Sequence, residues 1–331
     1  MGGDHGPPVI IPAALSVLRA HSGVRLILVG DEAVLQSRIK TLGVSMPQGL
    51  SIHHASQQVE MDELPSQALR SKKDSSMRVC LNLVKEGVAD ACVSAGNTGA
   101  LMAMARFVLK TLPGVDRPAI ISSLPSMLGH THLLDLGANV ESTSRQLFEF
   151  AVMGSVLSSA IDNIARPRVG LLNIGEEEMK GNERVKEAAQ LLARSDIHYV
   201  GFVEGDDIFK GSVDVVVCDG FVGNVALKAS EGVAKMISHH VKAQFSRNLL
   251  TKLVALLVLP VIKASRRKFD PRRHNGATLI GLRSIVVKSH GSADELAFAN
   301  AIQEAMTEVK KNVPARISEH LESLLSEPEA V

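Results

Sequence analysis

Glycine-rich turns follow apolar runs at five places in the sequence, and each turn leads into a helical pattern. The turns are SAGNTGA (94–100), GANVES (137–142), GEEEMKGNE (175–183), DGFVGN (219–224) and SHGSAD (289–294). In an open parallel sheet the carboxyl ends of the strands form the ligand crevice, where helix N-termini offer free N–H groups and partial positive charge. The five turns together predict an anion site, although a tight turn or a helix cap explains the glycines of any single one.

The turn at 94–100 is the best candidate for a phosphate cradle. Gly96, Asn97, Thr98 and Gly99 would bring several backbone N–H groups and two polar side chains to one anion. The alternative is that these residues only cap the helix predicted over 98–110.

Four polar residues near the other turns are candidate catalytic residues: Lys180, Asn224, Lys228 and His290. Lys180 would neutralise an anion, or would simply be exposed to solvent. Asn224 would donate to a carbonyl oxygen, or cap the helix after GFVG, and Lys228 lies one turn later on the same helical face. His290 would orient an anion or transfer a proton, or be a structural histidine.

Several catalytic motifs are missing from the sequence. No G-x-x-x-x-G-K-[ST] and no G-x-G-x-x-G after the apolar run at 24–30 occur, which argues against nucleotide binding by those motifs. G-x-S-x-G and H-E-x-x-H are also absent, so neither an activated serine nor a zincin metal is predicted. Asp4 with His5, and His53 with His54, lack a spaced third ligand, and the sequence therefore predicts no metal and no cofactor.

Composition narrows the class of protein. The 331 residues are 45% hydrophobic and 21% charged, which is typical of a globular chain with a large core. Thirty-six basic and thirty-five acidic side chains, 3% aromatic residues and no Trp argue against nucleic-acid binding. Three cysteines and a start, MGGDHGPP, without the features of a signal peptide predict a reducing cytoplasm.

Apolar, β-branched runs alternate with helical patterns along the whole chain. This alternation predicts an α/β fold of three layers, α/β/α, with a mostly parallel sheet, and we treat residues 1–331 as one domain. The tail from Ser318 to Val331 is acidic and is expected to be frayed. The strands are expected at 24–30, 50–55, 89–94, 119–124, 132–136, 168–174, 198–203, 213–218 and 285–288, and the helices at 8–20, 75–86, 98–110, 141–159, 182–194, 224–241 and 293–312.

The segment 247–273 carries eight basic residues against Asp270, a local charge of +7. Basic residues and leucines of this density fit a dimer interface, a membrane-surface element or a dock for an acidic protein. The candidate membrane-binding residues are the apolar face Leu249, Leu250, Leu253, Leu256 and Leu257 and the basic group Arg266, Arg267 and Lys268.

Seven segments resemble, in order, the bacterial phosphate acyltransferase (PlsX) family of phospholipid synthesis. They are MGGDHGP (1–7), SAGNTGA (94–100), DLGANV (135–140), GLLNIGEEEMKGNE (170–183), GFVEGDDI (201–208), VDVVVCDGFVGNVALKASEG (213–232) and KSHGSAD (288–294). The resemblance implies conversion of fatty acyl-[acyl carrier protein] and inorganic phosphate to acyl phosphate and free carrier protein. It also implies a fold similar to the isocitrate and isopropylmalate dehydrogenases and phosphate acetyltransferase.

The resemblance further implies a homodimer, peripheral on the cytoplasmic face of the membrane, with residues 245–275 as a protruding amphipathic helical element. Its expected partners are acyl carrier protein, an anionic membrane surface and the membrane-bound glycerol-phosphate acyltransferase that consumes acyl phosphate. Family members also place a short strand ending in Asp-Ala before the MGGD turn, and we expect such a strand to add stability.

Phosphate attack on a thioester needs an anion cradle and a carbonyl polariser. It needs no enzyme nucleophile, because phosphate is the nucleophile, and little help for the leaving group, because a thiol of pKa about 8.5 departs readily.

Two alternatives to the phosphate acyltransferase function stay open. One is a soluble phosphate acetyltransferase acting on coenzyme A thioesters, and the other is a non-catalytic membrane scaffold for lipid-synthesis enzymes.

Overall fold

Helices and strands alternate along the chain, as the apolar runs predict. The computed structural model describes residues 1–258 and 270–326. The strands are β1 (Leu26–Gly30), β2 (Leu50–His54), β3 (Ala91–Ser94), β4 (Ala119–Ser126), β5 (Gly129–Leu134), β6 (Val169–Leu172), β7 (Tyr199–Val203), β8 (Val215–Val217), β9 (Ala277–Ile280) and β10 (Ile285–Lys288).

Most helices begin at a residue whose side chain caps the first turn, such as Asn97, Thr143, Asn182, Asp219 and Asp294. The helices are α1 (Pro7–Ala20), α2 (Glu32–Thr41), α3 (Pro65–Ser71), α4 (Ser76–Lys85), α5 (Thr98–Leu109), α6 (Ser144–Asp162), α7 (Glu183–Ala193), α8 (Asp207–Lys210), α9 (Gly220–Phe245), α10 (249–258 within the described residues), α11 (Glu295–Lys311) and α12 (Val313–Ser326), with a 3₁₀ turn at Pro271–His274.

Three layers form around one eight-stranded sheet of order β3-β10-β9-β4-β5-β8-β6-β7, and β1 and β2 form a separate parallel pair. Alternate residues of a strand face opposite layers: Val215 and Val217 pack under α6, α7 and α12, whereas Val216 packs with α8 and α9. Five of the strand pairs between described residues are parallel and three are antiparallel. The predicted three-layer, mostly parallel fold is confirmed.

The two parallel halves of the large sheet run in opposite directions. β10 is antiparallel to β9, β9 to β4, and β4 to β5, so β3 and β10 point one way and β5, β8, β6 and β7 the other. The carboxyl ends of β3 and β10 therefore lie at the opposite end of the sheet from the carboxyl ends of β5, β6 and β8. The expectation that all five turns line one crevice at the carboxyl ends of a parallel sheet is therefore wrong, because three antiparallel strand pairs lie between the two parallel halves.

Other elements also differ from the sequence-based expectations, among them α2, α3, α8, β9 and the C-terminal tail. β9 is not among the predicted strands, since a four-residue run, Ala277–Ile280, carries little periodicity. The tail is not frayed from Ser318: α12 continues to Ser326 and buries Ile317 and Leu321 in the core beside α6. Apolar residues four apart on one helical face explain this packing.

The first turn of α9 packs directly on the turn that follows β5. The buried Asp135 carboxylate accepts hydrogen bonds from the backbone N–H groups of Ile120 (2.9 Å), Ala138 (3.0 Å) and Asn139 (2.8 Å). A side chain at Gly223 would overlap the backbone oxygen of Asp135, so this approach requires glycine.

Gly223→Ala should therefore destabilise the fold by about 3 kcal/mol or more, since a methyl group must displace backbone rather than a flexible side chain. Gly232→Ala in the same helix is the matched control, because nothing lies within 4 Å of a Cβ at that position. The control should be neutral or stabilising by up to about 1 kcal/mol. Urea unfolding followed by circular dichroism measures both, and equal midpoints for the two variants would contradict the close contact.

Candidate active site

The N-terminus of α5 presents free backbone donors. Asn97 caps the helix by accepting from the Ala100 N–H (3.0 Å), and its Nδ2 donates to the carbonyls of Met61 (2.9 Å) and Glu63 (2.9 Å). The predicted use of this side chain for phosphate thus competes with a structural role. The N–H groups of Thr98 and Gly99 donate to no other described residue, which leaves them available to an anion.

Three turns come together beside this helix end. The Asp4 N–H donates to the Gly291 carbonyl (2.8 Å), which joins the N-terminal turn to the turn after β10. Gly3 has φ of +80°, and a Cβ there would lie 2.9 Å from the Ala95 Cβ. Gly96 is also closely packed, since a Cβ would lie 2.8 Å from Cε of Met77. Close packing therefore requires glycine at these two positions, whether or not a ligand binds there.

Lys288, the last residue of β10, is a buried cation at this junction. It is only 8% exposed, and its Nζ donates to the carbonyls of Ala95 (3.4 Å) and Ser289. Burial lowers the pKa of Lys288 to about 8; Asp4 opposes this shift and Lys228 adds to it. Lys288 is not among the predicted site residues, although a charged residue at the end of an otherwise apolar strand, IVVK, is a usable signal.

His290 lies two residues after Lys288. The Ser292 N–H donates to its Nδ1 (3.2 Å), so the neutral ring carries its proton on Nε2, which has no hydrogen-bond partner among the described residues. Partial burial and the cations Lys228 and Lys288 lower the pKa of His290, and Glu231 opposes them. The ring is therefore held in its neutral form at neutral pH.

α9 connects the two groups of turns. Asn224 lies beside Gly137, in the turn after β5, and its side chain bonds to no other described residue. Lys228, about 6 Å further along the helix axis, lies close enough to Lys288 and His290 to lower both of their pKa values. It also pairs with Glu231 (3.0 Å). The structure thus places Lys228 near Lys288 and His290, whereas Asn224 lies one helical turn earlier beside Gly137; the catalytic roles of these residues stay predictions.

Lys180 lies apart from this group. Its Nζ is 2.9 Å from the Glu177 carboxylate on the protein surface, and this pairing raises the pKa of Lys180. Lys180 is thus exposed to solvent in this structure, which is the alternative to anion binding stated for it in the sequence analysis. Its catalytic role stays a prediction.

Exposed apolar side chains surround the region after β5, β6 and β8. Such side chains near a polar site indicate a ligand with an apolar part. They are Val140, Ile174, Met179, Phe221, Val222 and Val225.

All five leucines predicted in the helical element 245–275 are exposed: Leu249, Leu250, Leu253, Leu256 and Leu257. Residues 232–244 of α9, which precede that element, are exposed too, and we call 232–258 the protrusion. Arg266, Arg267 and Lys268 lie outside the described residues. No helix of the described chain has the length and apolarity needed to cross a bilayer.

Comparison with known sequences decides the family. Residues 1–316 match the model of the FA_synthesis family, described as fatty acid synthesis protein. The chain belongs to this family. Its FA_synthesis relatives include phosphate acyltransferases from Nitrosococcus oceani, 62% identical over 100% of this chain and 97% of the relative, and from Methylococcus capsulatus, 63% identical over 97% and 95%. The family resemblance seen in the sequence motifs is confirmed.

Solved structures support the fold of this FA_synthesis member at low sequence identity. A phosphotransacetylase from Streptococcus pyogenes is similar with a TM-score of 0.63 and 18% identity over 92% of this chain and 91% of that one. A 4-hydroxythreonine-4-phosphate dehydrogenase from Klebsiella pneumoniae has a TM-score of 0.54 and 15% identity over 93% and 98%. Both likenesses agree with the predicted fold class.

Lys288→Met tests the buried cation, because it removes the charge and keeps an unbranched apolar stem. We expect the affinity for inorganic phosphate at pH 7 to fall by about tenfold or more, as a charge-assisted hydrogen bond is lost. Calorimetric titration with phosphate measures this, with circular dichroism to verify folding. Lys310→Met, an exposed lysine in the last turn of α11, is the control. Wild-type affinity in folded Lys288→Met would exclude Lys288 from the anion site.

Proposed function

We propose that this chain transfers the acyl group of a fatty acyl-[acyl carrier protein] thioester to inorganic phosphate, giving acyl phosphate and free carrier protein for phospholipid synthesis. The convergence of Lys228, Lys288 and His290 beside the free N–H groups of Thr98 and Gly99 carries the proposal. Relatives at 55–63% identity are named phosphate acyltransferase, which supports the acyltransferase reaction.

Phosphate would bind at the N-terminus of α5, where the N–H groups of Thr98 and Gly99 supply hydrogen bonds and the helix dipole favours an anion. The ammonium groups of Lys288 and Lys228 would balance its charge. The Nε2–H of His290 would orient one oxygen. This arrangement holds the nucleophile without forming a covalent bond to the protein.

The reaction would proceed by attack of a phosphate oxygen on the thioester carbonyl carbon, forming a C–O bond and placing negative charge on the carbonyl oxygen. The free amide of Asn224 would donate to that oxygen. Collapse of the intermediate breaks the C–S bond, and the thiolate takes up a proton. Lys288, with a pKa of about 8, is matched to a thiol of pKa about 8.5 as the proton donor. These steps require neither a cofactor nor a metal at the reacting carbon.

A long acyl chain fits the surroundings better than an acetyl group. The exposed apolar residues near the turns, such as Ile174, Met179 and Phe221, would contact hydrocarbon. This feature favours acyl carrier protein thioesters over the alternative of a soluble phosphate acetyltransferase using coenzyme A. A non-catalytic scaffold is disfavoured because it has no use for a buried lysine whose pKa is lowered.

The protrusion supports the predicted homodimer and membrane contact. Val233, Met236, Ile237 and Val241 share one face of α9 and would pack against a second copy. The α10 leucines would insert into an anionic membrane surface on the cytoplasmic side. Acyl phosphate would then be released where the membrane-bound glycerol-phosphate acyltransferase consumes it.

Activity should depend on pH through Lys288. Its pKa is lowered from the ordinary lysine value to about 8, so the cation is present below that pH and is lost as pH rises through it. We expect kcat/KM for phosphate, corrected for the ionisation of phosphate itself, to fall above pH 8 in the wild type. In Lys288→Met it should be at least about 100-fold lower at pH 7 and flat above pH 8.

Incubation with palmitoyl-[acyl carrier protein] and labelled phosphate, followed by hydroxylamine trapping, measures acyl phosphate. Acetyl-coenzyme A and phosphate in parallel test the alternative substrate. Product from acetyl-coenzyme A alone would support the acetyltransferase, and no product from either substrate would support the scaffold.

Leu253→Glu/Leu257→Glu should abolish sedimentation with phosphatidylglycerol vesicles even at low salt, because two carboxylates would replace hydrocarbon contacts. Leu42→Glu/Val88→Glu is the matched control, since it adds the same charge at exposed apolar positions outside the protrusion. Light scattering measures the dimer mass in parallel. Full vesicle binding by the leucine variant would refute insertion, whereas loss of the dimer would assign these leucines to the subunit interface.

A further inference from the structure

His130, His132 and Asp162 form a compact cluster away from the proposed active site. The two histidines are alternate residues of β5 and share one face of the strand, and Asp162 is the last residue of α6. Nε2 of His130 is 2.9 Å from one carboxylate oxygen of Asp162, and Nε2 of His132 is 2.8 Å from the other. Among the described residues this is the only group of three such side chains whose donor atoms lie within 4.8 Å of one another.

Two serines orient the cluster from outside. Ser123 Oγ is 3.1 Å from Nδ1 of His132, and Ser158 Oγ donates to Asp162 (2.9 Å). Histidine ligands of metals almost always bond through the second ring nitrogen in this way, and ligating carboxylates are also hydrogen-bonded. The rings are held at 82° to each other with centroids 5.0 Å apart. Their Nε2 atoms are therefore fixed toward a common point.

The burial and the negative charge of this cluster are suited to binding a cation. His132 is buried, whereas the His130 side chain is 36% exposed and leaves one approach open to solvent. Both oxygens of the Asp162 carboxylate accept from the histidine rings, so its negative charge lies where the ion would bind. Glu304, a second carboxylate, lies close enough to interact electrostatically with all three residues and would balance added positive charge.

We propose that His130, His132 and Asp162 bind one divalent transition-metal ion, with zinc the best match to two imidazoles and a carboxylate. The ion would replace the ring protons that now lie between the imidazoles and the carboxylate. Ligand atoms about 2.0–2.1 Å from a tetrahedral ion lie about 3.4 Å apart, so a nitrogen and the carboxylate oxygen that it now contacts at 2.8–2.9 Å need to separate by about 0.5 Å. Water from the open side of His130 would supply the fourth ligand.

The site would be structural. It would fasten β5 to the end of α6 through His132 and Asp162, which are 30 residues apart in sequence. None of its ligands belongs to the proposed catalytic group, so it would not enter the acyl transfer. His130 and His132 are two residues apart in the sequence, but folding alone brings the third ligand, Asp162, beside them, so spacing along the chain predicted no metal.

Metal-stripped wild-type chain should bind one zinc ion per chain in calorimetric titration with ZnCl2. With CoCl2 it should give the visible absorption of a four-coordinate ion, and zinc should raise the melting temperature. His130→Asn should weaken zinc binding by more than about 100-fold, since even residues that only support a ligand are worth 10–100-fold. Ser123→Ala, which removes such a support, should weaken it by about tenfold.

His239→Asn is the matched control. His239 and His240 also form an edge-to-face pair, with ring centroids 5.6 Å apart, but the described residues supply them no third ligand. This variant should bind zinc as the wild type does. Wild-type binding by folded His130→Asn, or the absence of stoichiometric zinc binding by the wild type, would overturn the proposal. Loss of binding in His239→Asn alone would place the ion elsewhere and overturn it too.

Discussion

The proposed site depends on the close contact between α9 and the turn after β5. Asp135 satisfies the backbone donors of its own turn, which therefore keeps its shape without water. The missing side chain at Gly223 lets the helix backbone approach the Asp135 carbonyl. Because the helix direction is fixed there, Asn224 and Lys228 project where they do. Without this contact, the groups after β5 and β10 would have no common element to align them.

The burial of Lys288 is the second determinant of the site. An ammonium group with two carbonyl partners and little solvent is less favourable than an exposed one, which is why its pKa falls. An incoming dianion would supply the missing counter-charge. In the proposed site, the unfavourable burial of Lys288 would favour anion binding, and stability of the free protein would be exchanged for affinity.

Local patterns predicted much of the fold and part of the site. The apolar run 285–288 became β10 with the expected bounds, and Lys228 lies near His290. The pairing of strands that are distant in sequence could not be predicted. β9 is too short to show a period, and its antiparallel pairing with β4 and β10 reverses the direction of one half of the sheet. The identity of Lys288 as a buried cation depends on Ala95, almost 200 residues away. Such contacts follow from topology, which spacing along the chain does not encode.

The length of α9 has a mechanical consequence. Its 26 residues run from the site to the exposed apolar surface as one continuous helix. With Gly223 as the fulcrum, Lys228 lies about 7 Å and Phe245 about 33 Å along the axis. A tilt of about 5° would swing the outer end by about 3 Å and Lys228 by less than about 1 Å. A displacement at the outer end of α9 therefore moves the Lys228 ammonium group much less than it moves Phe245.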